Sequence, residues 1–354
     1  MKPADPDIGS TVRQDGQVVA EARDSQMKEK PNLGSQLGSV AARVGIVIPN
    51  WNGREVLQDC LRSISALRYP RAQVIVVDNG STDGSTEMLG RDYPNVLRIE
   101  NSVNLGFAAG NNQGIRLALD RGDDYVLVLN NDTILHPDCL TLLVERAQSD
   151  SQIAAISPKI YFAQPSNRLW FAGGTFNYWT GRNGHVGYKK SDNGAWDTAG
   201  EMEFISGCAL LASRNAWRNI GCFDELLFVY SEDVDWSLRA RKAGFKLFYE
   251  PRAVVWHRES FSIQRNRWQA SQLYYNTRNP MVVMWKQGRW WHWATFLPHH
   301  AALSCKRILQ ALLRRDWTSI VKIIEGIRDF PALARQAKLR QRTKVGFVKG
   351  QSSS

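Results

Sequence analysis

The sequence predicts a doubly wound α/β domain, with helices on both faces of a mostly parallel sheet, followed by an amphipathic helical extension. Short runs that are apolar throughout alternate with segments whose apolar residues have helical spacing. Such runs are typical of parallel strands buried on both faces. A cluster of Asn, Asp, Gly or Ser comes after several of these runs, as expected where strands end at a ligand-binding edge.

The elements of this domain succeed one another within residues 43–280. Each strand is a run of Val, Ile or Leu, and each helix repeats apolar residues three or four positions apart. In chain order we predict a strand at 44–48, a helix at 56–67, strands at 74–77 and 96–99, a helix near 111–120 and a strand at 126–129. Residues 1–42 are polar and without periodicity, so we predict a disordered leader there and a disordered tail at 346–354.

Composition excludes several classes of protein. Hydrophobic residues make up 43% and aromatic residues 10% of the 354 residues, which describes a globular chain. The five cysteines are scattered without a CxxC pair, which argues against a disulfide framework or a zinc ribbon and fits a reducing cytosol. We find neither an apolar signal-peptide core nor an uninterrupted apolar run of the ~18 residues that span a bilayer, and we expect a cytoplasmic protein.

Basic residues are concentrated near one end. Residues 1–257 hold 27 Lys and Arg against 30 Asp and Glu, whereas residues 258–354 hold 18 against 4. Six of the 13 Trp lie in the second part. A basic, Trp-rich segment suits an anionic membrane surface or nucleic acid, and the alternative is a solvated basic tail. The clustering of Trp favours an interface.

One helical face stands out within residues 281–345. Its members recur at helical spacing and are Trp317, Ile320, Val321, Ile324 and Ile327. We predict that these helices lie on a membrane surface. The alternatives are that the face packs against the preceding domain or against a second subunit.

Polar clusters at strand ends predict a ligand site. Pro49 and Asn52 come after the first strand, Asp78 ends the second, and residues 130–132 end a later one. Any one of these could be an ordinary turn, but three at one edge of a sheet indicate a site. Residues 104–112 are small and precede a helix whose N–H groups suit a phosphate, although a tight loop would look the same. No GxGxxG comes after the first strand and no GxxxxGK[ST] occurs, which argues against a dinucleotide or P-loop site.

Asp132 is the strongest candidate for a metal ligand. It ends an apolar run and is flanked by Asn130 and Asn131, so that hard oxygen donors suitable for Mg²⁺ or Mn²⁺ are concentrated there. Such a cation would bridge the oxygens of a diphosphate. His257 also ends an apolar run and is a second candidate, although a lone His is more often structural.

Three carboxylates crowd within four residues, at Glu232, Asp233 and Asp235. Like charges this close raise one another's pKa, which suits a general base or a cation site, and a solvated loop would also tolerate it. Asp235 stands four residues before Arg239, the spacing of a helical ion pair. Acidic residues are also favourable at a helix N-terminus.

The order of these motifs resembles the family 2 glycosyltransferases, and within them the bacterial rhamnosyltransferase-type branch. The resemblance runs from about Val44 to His257 and more weakly to Asn279. It rests on Pro49-x-x-Asn52, Asp78-Asn79-Gly80-Ser81-Thr82-Asp83-Gly84-Ser85, Asn104-x-Gly106-Phe107-Ala108-x-Gly110-Asn111-Asn112, Leu129-Asn130-Asn131-Asp132, Gly221-x-Phe223-Asp224-Glu225, Glu232-Asp233-x-Asp235-x-x-x-Arg239, His257 and Tyr275-x-x-Arg278-Asn279. It implies the GT-A fold, a nucleotide-diphosphate-sugar donor, a divalent cation (Mg²⁺ or Mn²⁺) and inversion at the anomeric carbon.

The resemblance also implies roles for individual residues. Asp233 resembles the catalytic base, supported by Glu232, with Asp235 and Arg239 as supporting residues. Asp132 and His257 resemble the ligands of the metal or diphosphate, with Asn130 in place of the first acid of the usual Asp-x-Asp. The residues that resemble the donor-binding set are Pro49, Asn52, Asp78, Asn79, Asn104, Gly106, Asn111, Asn130 and Asn131.

The implied partners are a nucleotide-sugar donor, possible oligomers of the chain itself, and an acceptor that is a glycan or is carried on a polyprenyl diphosphate. The resemblance does not name the sugar, and dTDP-L-rhamnose is our best hypothesis. We expect a peripheral protein on the inner face of the cell membrane and expect no nucleic acid as a partner. The alternatives are a nucleic-acid-binding protein that uses the basic, Trp-rich region and an inactive glycosyltransferase-like scaffold.

Overall fold

The computed structural model describes residues 41–163, 167–258 and 265–351, so the predicted leader lies outside it except for its last two residues. The strands are β1 Val44–Asn50, β2 Ala72–Asp78, β3 Leu97–Glu100, β4 Tyr125–Leu129, β5 Thr133–Leu135, β6 Ile153–Phe162, β7 Leu169–Phe171, β8 Gly174–Asn177, β9 Arg182–His185, β10 Gly200–Glu201, β11 Ala209–Ser213 and β12 Lys246–His257. The helices are α1 Arg54–Ser65, α2 Ser85–Asp92, α3 Gly106–Asp120, α4 Cys139–Ser149, α5 Arg214–Ile220, α6 Glu232–Lys242, α7 Arg265–Gln287, α8 Trp293–Leu313 and α9 Trp317–Gln351. Short 3-10 turns lie at Glu225–Leu227 and Trp290–His292.

One large sheet organises the domain. Its strand order in the described chain is β10-β12-β6-β11-β4-β1-β2-β3, with β5 added beside β12 and β7 beside β6. The pairs β3–β2, β2–β1, β1–β4 and β6–β12 are parallel, and β11 is antiparallel to both of its neighbours. The α/β class and the mostly parallel sheet predicted from the sequence are therefore confirmed.

Two of the predicted strands, β1 and β4, are buried on both faces. Side chains of β1 and β4 such as Ile46, Val47, Leu127 and Val128 are wholly buried, because helices cover the sheet on both sides. Burial of this kind contributes about 25 cal/mol per Å² of apolar surface, which favours long runs of Val, Ile and Leu. β3 is the last strand at one edge of the sheet and is only half-buried. It lies at 97–100 rather than at the predicted 96–99.

Helix α3 begins at Gly106, five residues before the predicted start. The small residues that suggested a loop are instead what lets the helix lie directly on the sheet. A side chain at Gly114 would come within 2.4 Å of Val47, and one at Gly110 within 2.8 Å of Asn79. The turn before the helix is stabilised by Asn104, whose side-chain oxygen accepts a hydrogen bond from the Gly106 N–H at 2.8 Å.

The C-terminal helices pack on the sheet domain through α7, which contacts α6 and the turn at Glu225–Leu227. Helix α7 runs across the boundary predicted between residues 280 and 281. Helix α9 packs on α7, and the fit is close at Gly326, where a side chain would come within 2.8 Å of the Tyr274 carbonyl oxygen. In the part of the chain that the structure describes, no helix is long and apolar enough to cross a membrane.

The apolar face predicted on α9 points outward. Trp317 is 66% exposed and Ile324 53%, and Val321 and Ile327 are exposed as well. The opposite face buries Ile323, so this is the side that packs on the neighbouring helices. The alternative that the predicted face packs against the preceding domain is therefore wrong.

Candidate active site

A cavity of about 630 Å³ opens at the carboxyl ends of the parallel strands. This is where ligands of such sheets bind. The predicted residues that line it are Pro49, Asn52, Asn79, Asn104, Gly106, Asn130, Asn131, Asp132, Glu232, Asp233 and His257. Four others, Asp78, Asn111, Asp235 and Arg239, do not belong to its lining.

The ends of β1, β2 and β4 are joined by a chain of side-chain hydrogen bonds, here called the strand-end network. Asn131 donates to Asn50 Oδ1 at 2.8 Å, and Asn50 donates in turn to Asp78 Oδ1 at 2.9 Å. The other oxygen of Asp78 accepts from the backbone N–H of Ser81 at 2.8 Å. Asp78 is buried behind Asn50 and therefore acts on this wall indirectly, by orienting the Asn50 side chain.

The turn after β1 completes this side. Asn52 has a positive φ of 50°, a conformation that Asn tolerates better than most residues. Its side-chain oxygen accepts from the Thr82 N–H at 2.7 Å, which ties the turns after β1 and β2 together. Gly53 is required next to it, since a side chain there would come within 2.3 Å of Asn131 Nδ2.

The start of α3 forms the floor beside this wall. Asn79 donates to the Gly106 carbonyl oxygen at 3.2 Å, so the end of β2 and the first turn of α3 are held together. Asn111 lies one turn further along and is wholly buried, with its side chain donating to the Phe107 carbonyl oxygen at 2.9 Å. Its contacts are those of a residue that holds the helix rather than of one that faces the cavity.

Asp132 and His257 meet because β5 pairs with the end of β12, in a register that sets His257 opposite Thr133. His257 Nε2 lies 3.1 Å from Asp132 Oδ1 and 3.4 Å from Asn130 Nδ2. Burial disfavours the imidazolium, but Cys208 and the Asp132 carboxylate beside it favour the charge more strongly, and the pKa of His257 lies well above its ordinary value.

The donor set at this point fits a divalent cation that is also held by its substrate. In the described residues, no group of three or more His, Cys, Asp or Glu could hold a metal. Asn130 Oδ1 is buried and makes no hydrogen bond within the described structure, and Asp132 Oδ1 has the His257 ring nitrogen beside it. A carboxylate, an amide oxygen and an imidazole are acceptable ligands for Mn²⁺, and Mg²⁺ is usually held by one or two carboxylates and substrate phosphates.

An aromatic wall stands behind this pair. The Trp170 ring packs edge-on against His257 and against His185, each with ring centroids 4.6 Å apart. Burial lowers the pKa of His185 to about 4, so it is neutral at physiological pH. Asn183 and His185 enter the cavity from the β8–β9 hairpin.

The opposite wall is the segment 228–231, here called the base loop, together with the first turn of α6. Phe228, Tyr230 and Ser231 all have positive φ, between 61° and 71°. For residues other than Gly, Asn and Asp this conformation is uncommon and costs about 1–3 kcal/mol at each position. The loop therefore persists only because other contacts hold it.

The base loop delivers Glu232 and Asp233 to the cavity. Asp233 Oδ2 accepts from the Gly207 N–H at 2.8 Å, and Oδ1 accepts from the Val234 N–H at 2.7 Å. Burial raises the pKa of Asp233, although these N–H groups oppose the shift. Burial and the neighbouring Asp233 carboxylate raise the pKa of Glu232 well above its ordinary value, and its buried Oε2 makes no hydrogen bond within the described residues.

Asp235 faces away from the cavity, and the helical pair predicted with Arg239 forms at 2.9 Å. Lys286 of α7 adds a second ion pair at 2.7 Å, and Gln287 donates a hydrogen bond at 2.8 Å. Burial opposes ionisation, but Lys286 and Arg239 outweigh it and lower the pKa of Asp235 to about 2. Asp235 and Asp233 are thus two residues apart but have opposite electrostatic environments.

The segment before β11 connects the two sides. Gly207 binds Asp233 through its N–H, and the next residue, Cys208, accepts a hydrogen bond from the Asn130 N–H at 2.9 Å through its carbonyl oxygen. Ser206 lines the cavity between them. Since Gly207 makes this contact through its backbone N–H, the residue type at this position does not predict the contact. Asn276 of α7 also lines the cavity, and it was not predicted because it is one of the unspecified positions in Tyr275-x-x-Arg278-Asn279.

Known proteins resemble this chain in sequence and in fold. A family model described as glycosyltransferase like family 2 matches residues 42–271. The N-acetylglucosaminyl-diphospho-decaprenol L-rhamnosyltransferase of Mycobacterium tuberculosis is 29% identical over 295 residues, which cover 76% of this chain and 94% of the relative.

Two solved structures show the same fold at low identity. The mannosyltransferase PcManGT from Pyrobaculum calidifontis, solved with GDP-Man and Mn²⁺, has a TM-score of 0.52 and 17% identity, with 82% of this chain and 88% of that chain covered. GalNAc-T7, solved with UDP, GalNAc and Mn²⁺, has a TM-score of 0.53 and 15% identity, with 69% and 48% covered. The GT-A fold implied by the sequence is confirmed by these matches.

Proposed function

Because the chain belongs to the glycosyltransferase like family 2, we propose that it transfers a sugar, with inversion, from a nucleotide-diphosphate donor to a hydroxyl group of a lipid-linked or polysaccharide acceptor. One observation carries the proposal. A single cavity is lined by Asn50 and Asn131 of the strand-end network, by the Asp132–His257 pair and by Asp233, whose pKa is raised.

Asp233 is the general base of this proposal. A sugar hydroxyl is a poor nucleophile at neutral pH, and a carboxylate within hydrogen-bond reach can take its proton as the new bond forms. The hydroxyl oxygen then attacks the anomeric carbon from the face opposite the diphosphate, and the bond from that carbon to the diphosphate oxygen breaks. The two hydrogen bonds that Asp233 accepts from backbone N–H groups keep its carboxylate oriented for this step.

Asp132 and His257, with the amide oxygen of Asn130, would hold a divalent cation together with the donor diphosphate. Such a cation neutralises the charge that develops on the leaving diphosphate. The orphaned oxygen of Asn130 supports this assignment, as does the Mn²⁺ present with both structural neighbours. Activity measured with each cation in turn distinguishes Mg²⁺ from Mn²⁺.

We propose dTDP-L-rhamnose as the donor and a polyprenyl-diphosphate-linked sugar as the acceptor. The support is the relative from Mycobacterium tuberculosis, whose name states a rhamnosyl transfer to a diphospho-decaprenol-linked sugar. The strand-end network would contact the nucleoside, with Asp78 acting through Asn50. The start of α3 would face the ribose and diphosphate.

The outward face of α9 fits a lipid acceptor. Exposed Trp317, Val321 and Ile324 form an apolar stripe on a segment in which basic residues outnumber acidic ones 18 to 4. We propose that this face rests on an anionic leaflet, at the inner side of the cell membrane. The charge of the segment favours this occupant over a second copy of the same basic chain.

The function is tested by incubating the purified chain with dTDP-, UDP- and GDP-sugars, a polyprenyl-diphosphate-linked acceptor and Mg²⁺ or Mn²⁺. We expect transfer from dTDP-L-rhamnose, with the anomeric configuration inverted as read by NMR of the product. Asp233→Asn serves as the inactive control. The absence of transfer or hydrolysis for every donor would refute the function, and a retained configuration would refute the single-base mechanism.

Membrane binding is tested by sedimentation with vesicles of phosphatidylglycerol or of phosphatidylcholine. We expect binding to the anionic vesicles, weakened by Ile324→Glu but not by Gln336→Glu, which adds the same charge at another exposed position of α9. Equal binding by both variants would contradict the proposed face. Concentration-dependent dimerisation without vesicle binding, or retention of an oligonucleotide instead of vesicles, would each overturn the membrane proposal.

A further inference from the structure

We infer that Arg278 and Asn279 of α7 are positioning residues, which hold the base loop in its strained conformation and so fix Asp233 at the reacting hydroxyl. The inference rests on the proposed function for what Asp233 does. It concerns two residues that act from outside the cavity, since neither Arg278 nor Asn279 belongs to its lining.

Asn279 makes the central contacts. Its side-chain Nδ2 lies 2.9, 2.8 and 2.7 Å from the carbonyl oxygens of Leu227, Val229 and Tyr230. An amide nitrogen carries two hydrogens, so the three oxygens share them. Asn279 is wholly buried, and no water is needed to satisfy these carbonyl groups. One side chain thereby fixes three carbonyl groups of a backbone that bends unusually at Phe228 and Tyr230.

Arg278 supports Asn279 and the turn that leads into the base loop. Its Nη2 donates to the carbonyl oxygens of Leu226 and Leu227 at 2.9 and 3.0 Å. Its Nε donates to Asn279 Oδ1 at 2.8 Å, which fixes the orientation of the amide so that Nδ2 faces the loop. The guanidinium also lies 5.0 and 4.9 Å from the ring centroids of Tyr274 and Tyr275. The guanidinium is therefore held on several sides and cannot easily be replaced by Lys.

The loop is held from its other side by the start of α3. The Ala108 N–H donates to the Phe228 carbonyl oxygen at 3.0 Å, and Gly106 leaves room for the Phe228 ring, which a side chain there would meet at 2.5 Å. The same ring stacks on Tyr275 with an interplanar angle of 4°. The base loop is thus fixed between α7 and the helix that faces the donor.

This arrangement has a consequence for catalysis beyond stability. Ser231, in the left-handed conformation, is the residue immediately before α6, so the direction of the Glu232–Asp233 backbone is set by the last bend of the loop. A displacement of about 1 Å at a catalytic group can cost on the order of a hundredfold in rate. Loss of the Asn279 contacts would therefore reduce turnover even in a protein that stays folded.

Asn279→Asp is the sharpest test, because it preserves size but turns a carboxylate toward three carbonyl oxygens. We expect kcat to fall about ten- to a hundredfold, the pH at which activity rises to shift, and the backbone amides of 226–233 to exchange faster with deuterium. Arg278→Lys should show the same changes to a smaller extent, and it is the second variant should Asn279→Asp not fold. Leu143→Ala, in the buried face of α4 and away from α7, is the control: it lowers stability and should leave the pH profile unchanged.

The inference would be overturned if Asn279→Asp kept the wild-type kcat, pH profile and hydrogen exchange. It would also be overturned if Leu143→Ala showed the same changes at an equal loss of stability, and in both cases the proposed function would stand. Should the wild-type chain transfer no sugar, the proposed function fails on its own. Hydrogen exchange then still decides on the positioning of the loop, because protection of 226–233 that is unaffected by Asn279→Asp would refute it.

Discussion

The two walls of the cavity are built in different ways. On the side of β1, β2 and β4, polar side chains stand at the ends of buried parallel strands, and the strand-end network satisfies them among themselves. On the side of α6, the backbone is bent at Phe228, Tyr230 and Ser231, and two buried carboxyl groups have raised pKa values.

The two walls therefore suit different tasks, donor recognition and proton transfer. A wall that recognises a donor benefits from being rigid before the donor arrives, which regular strands supply without strain. A wall that must move a proton needs a carboxyl group whose pKa has been raised, and this requires burial without compensating cations. Asp235 shows the opposite arrangement two residues on, where Lys286 and Arg239 lower the pKa to about 2.

The largest effect is expected on the α6 side. Asp233→Asn should lower kcat by ~10²–10⁴-fold while a nucleoside diphosphate still raises the melting temperature, because the base is lost and the donor wall is intact. Asp235→Asn is the matched comparison, and it should reduce thermal stability rather than the chemical step, since it unbalances a buried ion pair. Equal losses of kcat in the two variants would contradict the division between them.

The metal position should come next. Asp132→Asn is expected to lower activity by about a hundredfold and to flatten the dependence of the rate on added Mn²⁺, because the carboxylate of the cation site is gone. A surface change, Asp138→Asn, is the control. Full wild-type activity after exhaustive chelation would rule out the cation in this site.

A smaller effect is expected in the strand-end network. Asp78→Asn would set an amide against the Ser81 N–H and should raise the donor KM about ten- to a hundredfold with little change in kcat. Calorimetric titration with the nucleoside diphosphate measures the same loss directly. A loss confined to kcat would mean that this wall also takes part in the chemical step.

The smallest effect concerns stability at Glu232. Its pKa is raised in the folded chain, so the folded state keeps a proton that the unfolded chain releases, and stability is lost as the pH rises through the folded value. The side chain in Glu232→Gln cannot ionise, so we expect the melting temperature of this variant to rise relative to that of the wild type between pH 5 and pH 9. The free energy of unfolding changes by about 1.4 kcal/mol for each unit by which the pKa is shifted. Parallel melting curves over this range would show that Glu232 is not buried as described.

The two walls also differ in how far they could be predicted. Runs of Val and Ile mark strands by composition, and the residues after each strand of a parallel sheet lie at one edge, so Asn52, Asn131 and Asp132 were placed correctly in the cavity. Asn111 was not, because the small residues around it permit a helix as readily as a loop.

The base loop lay beyond prediction for a different reason. Nothing in the types of Phe228, Tyr230 and Ser231 favours positive φ, and this conformation is imposed by Asn279, about fifty positions later in the chain. Such a contact depends on how α7 packs, which no local pattern specifies.

The close fit at Gly326 means that the last helix, α9, supports the part of α7 that contacts the base loop. Helix α9 touches the backbone of α7 at Tyr274 and Arg278, on the turn that carries the contacts to the base loop. A shortened protein ending at residue 280, where sequence motifs alone would cut it, would leave the back of that turn bare to water. The smallest portion of this chain that retains turnover should therefore extend past Gly326. The helices of the basic segment would then support the conformation of the active site, in addition to the membrane binding proposed for them.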